Sequence, residues 1–278
     1  MRSKEASKLL EQVREQKPLI HNITNVVVTN FTANGILSMG AAPVMANAVQ
    51  EAADMASAAD ALVLNIGTLN DAQIEAMMLA GKAANEKGIP IVLDPVGAGA
   101  TAYRTETARK LLEQLDITLL RGNAAEVSEI AGLESDIRGV DASGGEKNME
   151  AIASHAAKTL NIAVAVTGAK DAVADNKCLY SINNGHSMLT RITGTGCLAS
   201  AVIAAFLTVT EKTASGAAAA LGYYGIAAER AEGFASMQGP GTFQIELLNA
   251  LYHVGEMDFK QQLNIEKEIL DRGGSTHE

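Results

Sequence analysis

Short apolar runs alternate with helical segments through the first part of the chain, and this alternation constrains the fold more than any other feature. Several of the runs are continuously apolar, as in parallel strands covered on both faces. The runs that predict strands are residues 18–24, 42–46, 61–67, 89–96, 117–123 and 162–169. Segments 71–88 and 105–116 between them predict helices, the first with Asp71 as N-cap and Gly88 as its end. The pattern predicts an α/β fold, a three-layer α/β/α sandwich with a mostly parallel central sheet.

The alternation ends after residue 169. Residues 171–185 predict short antiparallel strands around an Asp-Asn turn, and residues 196–251 are helical. Residues 135–148 are rich in Gly, Asp and Ser and predict a surface loop. No repeat or linker divides the sequence, so we expect a single domain over residues 1–278.

Composition excludes several classes of protein. The chain carries a formal charge of −10 and has no basic run, so neither a nucleic acid nor an anionic membrane is an expected partner. No uninterrupted apolar run reaches the ~18 residues of a membrane span, and the N-terminus lacks the apolar core of a signal peptide. The two cysteines, Cys178 and Cys197, have no ligand-type spacing and are expected to be reduced thiols in a cytoplasmic protein.

Polar residues follow the predicted strands, where parallel sheets usually hold their ligands. In LDPVGAG, Asp94 ends a strand before a proline turn and two glycines. Its carboxylate either caps the next turn or helix, or faces a magnesium ion or its waters. The segment alone does not decide between the two.

The segment LLRGNAAE combines a strand end with a helix start. Asn123 and Glu126 have the spacing of a capping box, which explains both without any ligand. A capping box does not explain Arg121, because arginine suits phosphate through its fork of donors. A carboxylate beside it, such as that of Glu126, suits a metal that bridges phosphates.

Two further strand ends are open to the same alternatives. VTG, ending at Gly168, is a plain turn, or a nucleotide site in which Thr167 offers a hydroxyl and Gly168 an approachable backbone. Met45 lies near a strand end, where it could pack on the apolar ring of a ligand.

TGTGC, residues 193–197, is the most informative segment. Gly194 and Gly196 flank a hydroxyl residue, Thr195, immediately before a helix, so successive N–H groups form a concavity at the positive end of the helix dipole. Such a nest suits a phosphoryl group in transfer. The alternative is a tight turn before a core helix, with Cys197 as a small buried side chain. The segment is neither a Walker A loop nor a GxGxxG fingerprint.

The motifs occur in the order HNITNVVVTNFTANGILSMGAAPVMA, LVLNIGTL, VLDPVGAG, LLRGNAAE, VTG and ITGTGC. Over residues 5–255 this order resembles the hydroxyethylthiazole kinase family of the ribokinase-like superfamily. The resemblance implies a kinase that uses ATP and Mg²⁺ to phosphorylate the primary hydroxyl of 4-methyl-5-(2-hydroxyethyl)thiazole in thiamine salvage. It also implies a homotrimer whose active sites lie near subunit contacts.

The resemblance implies roles for matching positions. The implied substrate contacts are Asn25, Met45, Gly67 and Gly194. The implied ATP contacts are Arg121, Asn123, Thr167 and Gly168. The positions near magnesium and the triphosphate are Asp94 and Glu126. The anion hole consists of Gly194, Thr195 and Gly196, and Cys197 holds the position of the catalytic base.

Many members of the wider superfamily have Asp where this chain has Cys197. A helix N-terminus is expected to lower the pKa of a thiol from its usual ~8.5, although intact thiol still dominates if the shift is small. Phosphoryl transfer passes through a loose transition state, in which the attacking hydroxyl keeps its proton until late. We therefore expect Cys197 to bond the hydroxyl and accept its proton late, with only part of the usual ~10²–10⁴-fold effect of a base.

Three alternatives share the expected fold. Kinases of hydroxymethylpyrimidine or pyridoxal would act on a different heterocyclic alcohol. A nucleotide-dependent dehydratase that repairs hydrated nicotinamide cofactors is a lyase and would need a larger pocket than Asn25, Met45 and Gly67 suggest. A non-catalytic nucleotide sensor would have little use for both carboxylates, Arg121 and the glycine turn together.

Overall fold

The computed structural model describes residues 1–133 and 148–270. Within these residues, nine strands form one sheet in the order β2-β1-β3-β4-β5-β6-β7-β8-β9. The strands are β1 Leu19–Ile23, β2 Ala42–Val44, β3 Ala61–Asn65, β4 Ile91–Asp94, β5 Leu119–Asn123, β6 Ala163–Thr167, β7 Asp171–Ala174, β8 Cys178–Ile182 and β9 Ile265–Ile269. Strands β1 to β6 pair in parallel, and β7 to β9 add antiparallel pairs at one side.

Helices cover both faces of this sheet. They are α1 Ser3–Gln16, α2 Thr29–Met39, α3 Ala52–Ala58, α4 Asp71–Lys87, α5 Ala102–Gln114, α6 Ala124–Ile130, α7 Met149–Leu160, α8 Thr195–Leu207, α9 Thr213–Ala235, α10 Pro240–His253 and α11 Glu256–Gln262. Residues of α1, α2 and α8 to α11 share one buried apolar cluster with one face of the sheet. Residues of α3 to α7 form a second cluster on the other face. The predicted three-layer sandwich is confirmed.

Helix α8 is buried along almost its whole length and points its N-terminus at the strand ends. Every residue from Cys197 to Leu207 is buried, which fits a helix that is apolar all round. It packs directly on β3 and β4. The packing of α8 in the core therefore fixes the direction in which its helix dipole points.

The six predicted parallel strands and the later hairpin are confirmed, whereas the last strand was not predicted. β9 reads IEKEI, and three of its five residues are charged, so it lacks the apolar character used to recognise the other strands. It forms one edge of the sheet by pairing with β8. At the opposite edge, β2 has three residues and contains Pro43.

The predicted N-cap of α4 was wrong by one position. Asn70 caps the helix, because its Oδ1 accepts a hydrogen bond from the N–H of Gln73 at 3.0 Å. Gly88 ends α4 with a φ of 78°, as predicted. The predicted loop 135–148 lies outside the described residues except for Asn148, which caps α7.

Two further predictions concern the cysteines and membrane-spanning helices. Both cysteines of the described chain, Cys178 and Cys197, are free thiols. In the described ranges, none of the helices has the length and apolar character needed to cross a bilayer.

Candidate active site

Four neighbouring parallel strands each carry a polar side chain, at or within two residues of the strand end, on the sheet face that α8 covers. These side chains are Asn65 of β3, Asp94 of β4, Arg121 of β5 and Thr167 of β6. Residues two positions apart in a strand point to the same face of the sheet. The residue two positions before each polar side chain is apolar and packs in the same buried cluster as α8. The four polar groups therefore meet the N-terminus of α8.

Asp94 is fully buried in this meeting point. Its Oδ2 accepts hydrogen bonds from Asn65 Nδ2 and Ser200 Oγ, both at 2.8 Å, and lies 3.5 Å from Arg121 Nη1. Its Oδ1 is buried and has no hydrogen-bond partner among the described residues. Burial raises the pKa of Asp94, against the lowering effect of the Arg121 charge. The carboxylate therefore caps no helix, contrary to the simpler reading of the sequence.

The Arg121 guanidinium lies against the first turn of α8. Its Nη2 donates to Thr167 Oγ1, and its side chain is only 11% exposed. A Cβ at Gly196 would stand 2.8 Å from Arg121 Nη1, so any side chain there would displace the guanidinium from this position. Nε of Arg121 is buried without a partner in the described chain, which leaves a donor of the fork unused.

The glycine turn before α8 is held from both sides. Gly194 has a φ of 94°, and a Cβ there would lie 2.5 Å from Val28 Cγ1, so the position requires glycine. Thr195 Oγ1 donates to the carbonyl of Leu189 at 2.9 Å, and Tyr224 Oη donates to the carbonyl of Thr195 at 3.0 Å. The first N–H groups of a helix have no partner within it, so this rigid turn offers donors to an anion.

Cys197 lies in the first turn of α8, next to the buried acid. Burial is the main cause that raises the pKa of its thiol to about 11, and the charge of Asp94 raises it further. The Asn65 side chain bonds the thiol and opposes this shift. The expected lowering by the helix N-terminus was therefore wrong: desolvation and a neighbouring carboxylate outweigh the dipole.

Asn25 and Gly67 come together at the rim, on the side of the site nearest β1. The Gly67 N–H donates to Asn65 Oδ1 at 2.9 Å, and a Cβ at Gly67 would stand 2.5 Å from Asn25 Nδ2. The same turns are joined where Val26 N–H donates to Thr68 Oγ1 at 3.1 Å. Met45 follows the edge strand β2 and packs, half-buried, against the core, apart from these contacts.

Asn123 and Glu126 form the predicted capping box, and Glu126 does more than cap. Asn123 Oδ1 accepts from the N–H groups of Ala125 and Glu126, while Glu126 Oε2 accepts from the Asn123 N–H. Glu126 Oε1 accepts from the Gly97 N–H at 2.9 Å. Glu126 thereby links the turn after β4 to the start of α6. A ligand that contacts the turn therefore also lies next to the start of α6.

Gly168 lies exposed in the turn from β6 to β7, and its N–H donates to Asp171 Oδ1 at 2.9 Å. Burial raises the pKa of Asp171 to about 6, although Gly168 and the Arg121 charge oppose the shift. Sequence reasoning missed Asp171 and Ser200 as members of this network, whereas Asn65 was expected at the rim as a polar residue at a strand end but was given no role. Asn65 closes a predicted strand, which was the available signal for it, while Ser200 has none because it lies one turn inside an apolar helix.

Mg²⁺ fits this site in a restricted way. In residues 1–133 and 148–270, no group of three or more His, Cys, Asp or Glu side chains could hold a metal ion alone. Mg²⁺ is commonly held by one or two carboxylates together with substrate phosphates. Asp94 Oδ1 has no hydrogen-bond partner among the described residues. The charge of Glu126 is close enough to raise the pKa of Asp94. The two neighbouring carboxylates therefore suit an ion that arrives with a polyphosphate.

A parallel sheet whose strand ends present an acid, an arginine and a glycine-lined helix N-terminus provides the groups that a small-molecule phosphotransferase needs, and the fold is of the ribokinase-like class. Two solved structures share this fold at low identity. A pyridoxal kinase from Staphylococcus aureus in complex with ADP is 13% identical over 91% of this chain and 99% of its own, with a TM-score of 0.62. A ribokinase-like superfamily protein from Enterococcus faecalis V583 is 12% identical over 90% of this chain and 95% of its own, with a TM-score of 0.59.

Closer similarity identifies the family. The structure of a hydroxyethylthiazole kinase protein from Pyrococcus horikoshii OT3 is 42% identical over 95% of this chain and 99% of its own, with a TM-score of 0.87. The family model described as the hydroxyethylthiazole kinase family matches residues 10–257. The chain belongs to the hydroxyethylthiazole kinase family. It is an enzyme that phosphorylates a thiazole alcohol in thiamine salvage, with ATP as co-substrate.

Proposed function

We propose that this chain transfers the γ-phosphoryl group of ATP to the primary hydroxyl of 4-methyl-5-(2-hydroxyethyl)thiazole at the N-terminus of α8. The observation that carries this proposal is the convergence of Asp94, Arg121 and Gly196. The carboxylate lies 3.5 Å from the guanidinium, and the guanidinium lies against the helix start. Charge that gathers on a phosphoryl group in transit would meet the arginine fork, the helix dipole and the first amides of α8 together.

The nucleotide side of the site lies towards β5 and β6. Arg121 has a buried, unused Nε donor, and Thr167 holds its Nη2, so the fork is fixed before ATP binds. The exposed backbone at Gly168 gives the nucleotide an approach. The Oδ1 atom of Asn123 already accepts the hydrogen bonds that cap α6. Asn123 therefore takes part in ATP binding by shaping the rim of the site, rather than by offering this oxygen to the nucleotide.

Asp94 and Glu126 would hold Mg²⁺ when it enters with the triphosphate. The ion supplies neutralisation of phosphate charge. Asn65 and Ser200 occupy only Oδ2 of Asp94, so Oδ1 remains available to the ion or to its water. The two N–H groups on Glu126 fix that carboxylate at the rim.

The alcohol side of the site is formed by the turns that carry Asn25, Gly67 and Gly194. Close packing at Gly67 and Gly194 leaves no room for a side chain, so the substrate meets backbone there. Asn25 supplies a polar contact, and Met45 supplies apolar surface further out along the rim.

Cys197 holds the attacking hydroxyl by a hydrogen bond while it keeps its own proton, and the hydroxyl proton passes late to an oxygen of the transferred phosphoryl group. With a pKa of about 11, Cys197 is a thiol at neutral pH, and an early thiolate base is excluded. A loose transition state does not require early deprotonation, so alignment and charge neutralisation provide most of the acceleration. The buried Asp94 and Asn65 orient the thiol.

The proposal includes a homotrimer in which a neighbouring subunit lies close to the site. Val26, Val27 and Leu37 are large apolar side chains near Asn25 in sequence, and they are 64%, 70% and 57% exposed. Apolar side chains of this size at a ligand rim suit a subunit contact. A cytoplasmic location supplies both ATP and the reducing conditions that keep Cys197 a thiol.

A kinase assay across a panel of alcohols tests the proposed function. We expect ATP- and Mg²⁺-dependent phosphorylation of the thiazole alcohol with kcat/KM at least tenfold above that for hydroxymethylpyrimidine or pyridoxal. Mass analysis of the products separates phosphorylation from dehydration of hydrated nicotinamide cofactors. Equal rates on all three heterocycles, or ATP binding with no phosphorylated product, would contradict the proposal. Sedimentation of the purified protein tests the trimer.

A further inference from the structure

Arg104 joins the ends of two strands without belonging to the predicted site. It lies in the first turn of α5, and its side chain reaches across to the turns after β3 and β4. Nη1 donates to the carbonyls of Ile66 at 3.0 Å and Val96 at 2.7 Å, and Nη2 donates to the carbonyl of Gly67 at 2.9 Å. One planar fork thus holds three backbone carbonyls from two separate turns.

The placement of Arg104 works against the local preference of its helix. The N-terminal turn of a helix favours acids, because the helix dipole is positive there. A cation at this position is disfavoured by the helix itself, and the three carbonyls offset that cost. The route to them passes over Gly97, where a Cβ would lie 3.0 Å from Arg104 Cδ. The fold therefore provides a path for this side chain.

The two turns that Arg104 joins face the two reactants in the proposed function. The Gly67 turn contacts Asn25 and, through Asn65, connects to Asp94. The Val96 turn continues into Gly97, whose N–H is held by Glu126. The distance between the alcohol and the phosphate therefore depends on how these two turns are fixed to each other.

We propose that Arg104 is a positioning residue for phosphoryl transfer, which fixes the alcohol-binding Gly67 turn against the Val96–Gly97 turn beside the phosphate-binding carboxylates. The inference rests on the proposed roles of Gly67 and Glu126. Arg104 touches neither reactant. It acts by holding backbone carbonyls, which only a planar fork of donors can do on both turns at once.

Steady-state kinetics of Arg104→Ala in the full chain test this inference. Since a displacement of about 1 Å can cost ~10²-fold in rate, we expect kcat to fall about 10- to 100-fold. We expect the KM for the thiazole alcohol to rise and the KM for ATP to change less than about threefold, because Arg121 and Thr167 are untouched. Arg104→Lys is expected to remain slow, since one ammonium group cannot replace the fork.

Chemical rescue separates positioning from a general loss of stability. Methylguanidinium added to Arg104→Ala is expected to restore kcat at least about fivefold, whereas methylammonium is not. The control is Arg109→Ala on the same helix, whose side chain is 48% exposed and donates to the carbonyl of Glu129. Its kinetics are expected to match those of the wild type.

Three outcomes would overturn the inference. The first is a kcat for Arg104→Ala within twofold of the wild-type value. The second is an equal rise of both KM values, and the third is a loss of rate that tracks a loss of thermal stability and that methylguanidinium does not reverse. Absence of thiazole phosphorylation by the wild-type enzyme would contradict the proposed function itself, and this inference with it.

Discussion

The two ends of the parallel sheet differ in chemistry more than in shape. At the carboxyl ends of the strands, Asp94, Arg121 and Asn65 form a buried polar network beneath the N-terminus of α8. At the amino ends, a cleft of about 760 Å³ lies beside the C-terminus of the same helix, near Leu207. Its polar groups are occupied locally: Asp60 Oδ2 accepts from the Leu19 N–H and Thr118 Oγ1 accepts from the Ile91 N–H.

The comparison shows that helix polarity, rather than open volume, determines where a phosphate can bind. A single helix, α8, directs the positive end of its dipole to one end of the sheet and the negative end to the other. A triphosphate is attracted to the first end and repelled from the second. The cleft at the amino ends therefore lacks what a nucleotide needs, whereas the carboxyl ends provide an arginine, a helix N-terminus and two carboxylates.

The largest effect is expected for Gly196→Val at the site end. A valine there would displace the Arg121 guanidinium, because even a Cβ would stand 2.8 Å from Nη1. We expect kcat/KM to fall by at least ~10³-fold, since both the arginine and the helix amides are lost to the phosphoryl group. Gly233→Val, at an exposed position of α9 with no atom within 4 Å of a Cβ, is the matched control. Normal turnover by Gly196→Val would contradict the anion-hole assignment.

A smaller effect is expected for Cys197→Ala, since the thiol orients the attacking hydroxyl and does not itself take up the proton. We expect kcat to fall roughly 10- to 100-fold and Cys197→Asp to retain activity. With a thiol pKa of about 11, the wild-type pH–rate profile is expected to show no inflection from Cys197 between about pH 6 and pH 9. Total loss of turnover in the alanine variant, with ATP binding intact, would show that the thiol contributes more than positioning.

Asp171→Asn tests what the half-buried charge of Asp171, at the site end of the sheet, costs in stability. The folded-state pKa of about 6 lies above the ordinary value of 3.8, so the folded state binds this proton more tightly than the unfolded state does. Wild-type stability is therefore lost as the pH rises from about 4 to about 6, and the variant avoids that loss. We expect Asp171→Asn to be about 1–2 kcal/mol more stable than the wild type at neutral pH and equal to it below about pH 4. Urea unfolding at the two pH values measures the difference, and a less stable variant at neutral pH would contradict the assignment.

The smallest effect is expected at the other end of the sheet. Glu211→Gln alters a charged residue that lines the large cleft, and kcat and both KM values are expected to stay within about twofold of the wild type. A change in the KM for ATP of tenfold or more would show that the amino ends of the strands take part in nucleotide binding. That result would contradict the conclusion that only the carboxyl ends bind the nucleotide.

The sequence was sufficient for the elements whose pattern is local. The parallel strands, the hairpin, α8 and the capping box of Asn123 and Glu126 follow from apolar runs, turn residues and fixed spacings. Strand β9 was missed because its residues are mostly charged. The N-cap of α4 was misplaced because Asn70 and Asp71 are equally good capping residues, and only the backbone conformation selects between them.

Contacts between distant segments were beyond the sequence. Arg121 is recognisable as a phosphate ligand, but its contact with Gly196 depends on packing between β5 and α8. The pKa of Cys197 was expected to fall because only the helix N-terminus is visible in the sequence, whereas burial and Asp94 are supplied by the fold. The roles of Met45, Gly168 and the other site residues stay predictions, as does the single domain over residues 1–278.

The two margins of the central sheet limit how copies of this enzyme can assemble. β2 offers three residues, one of them a proline without an N–H, and β9 presents Glu266, Lys267 and Glu268 to solvent. Edge strands that are short, charged or contain proline disfavour pairing with a strand of a neighbouring molecule. The proposed homotrimer would therefore be joined through helices and turns, such as the turn that carries Val26 and Val27, and the edge strands do not favour continued strand-to-strand association.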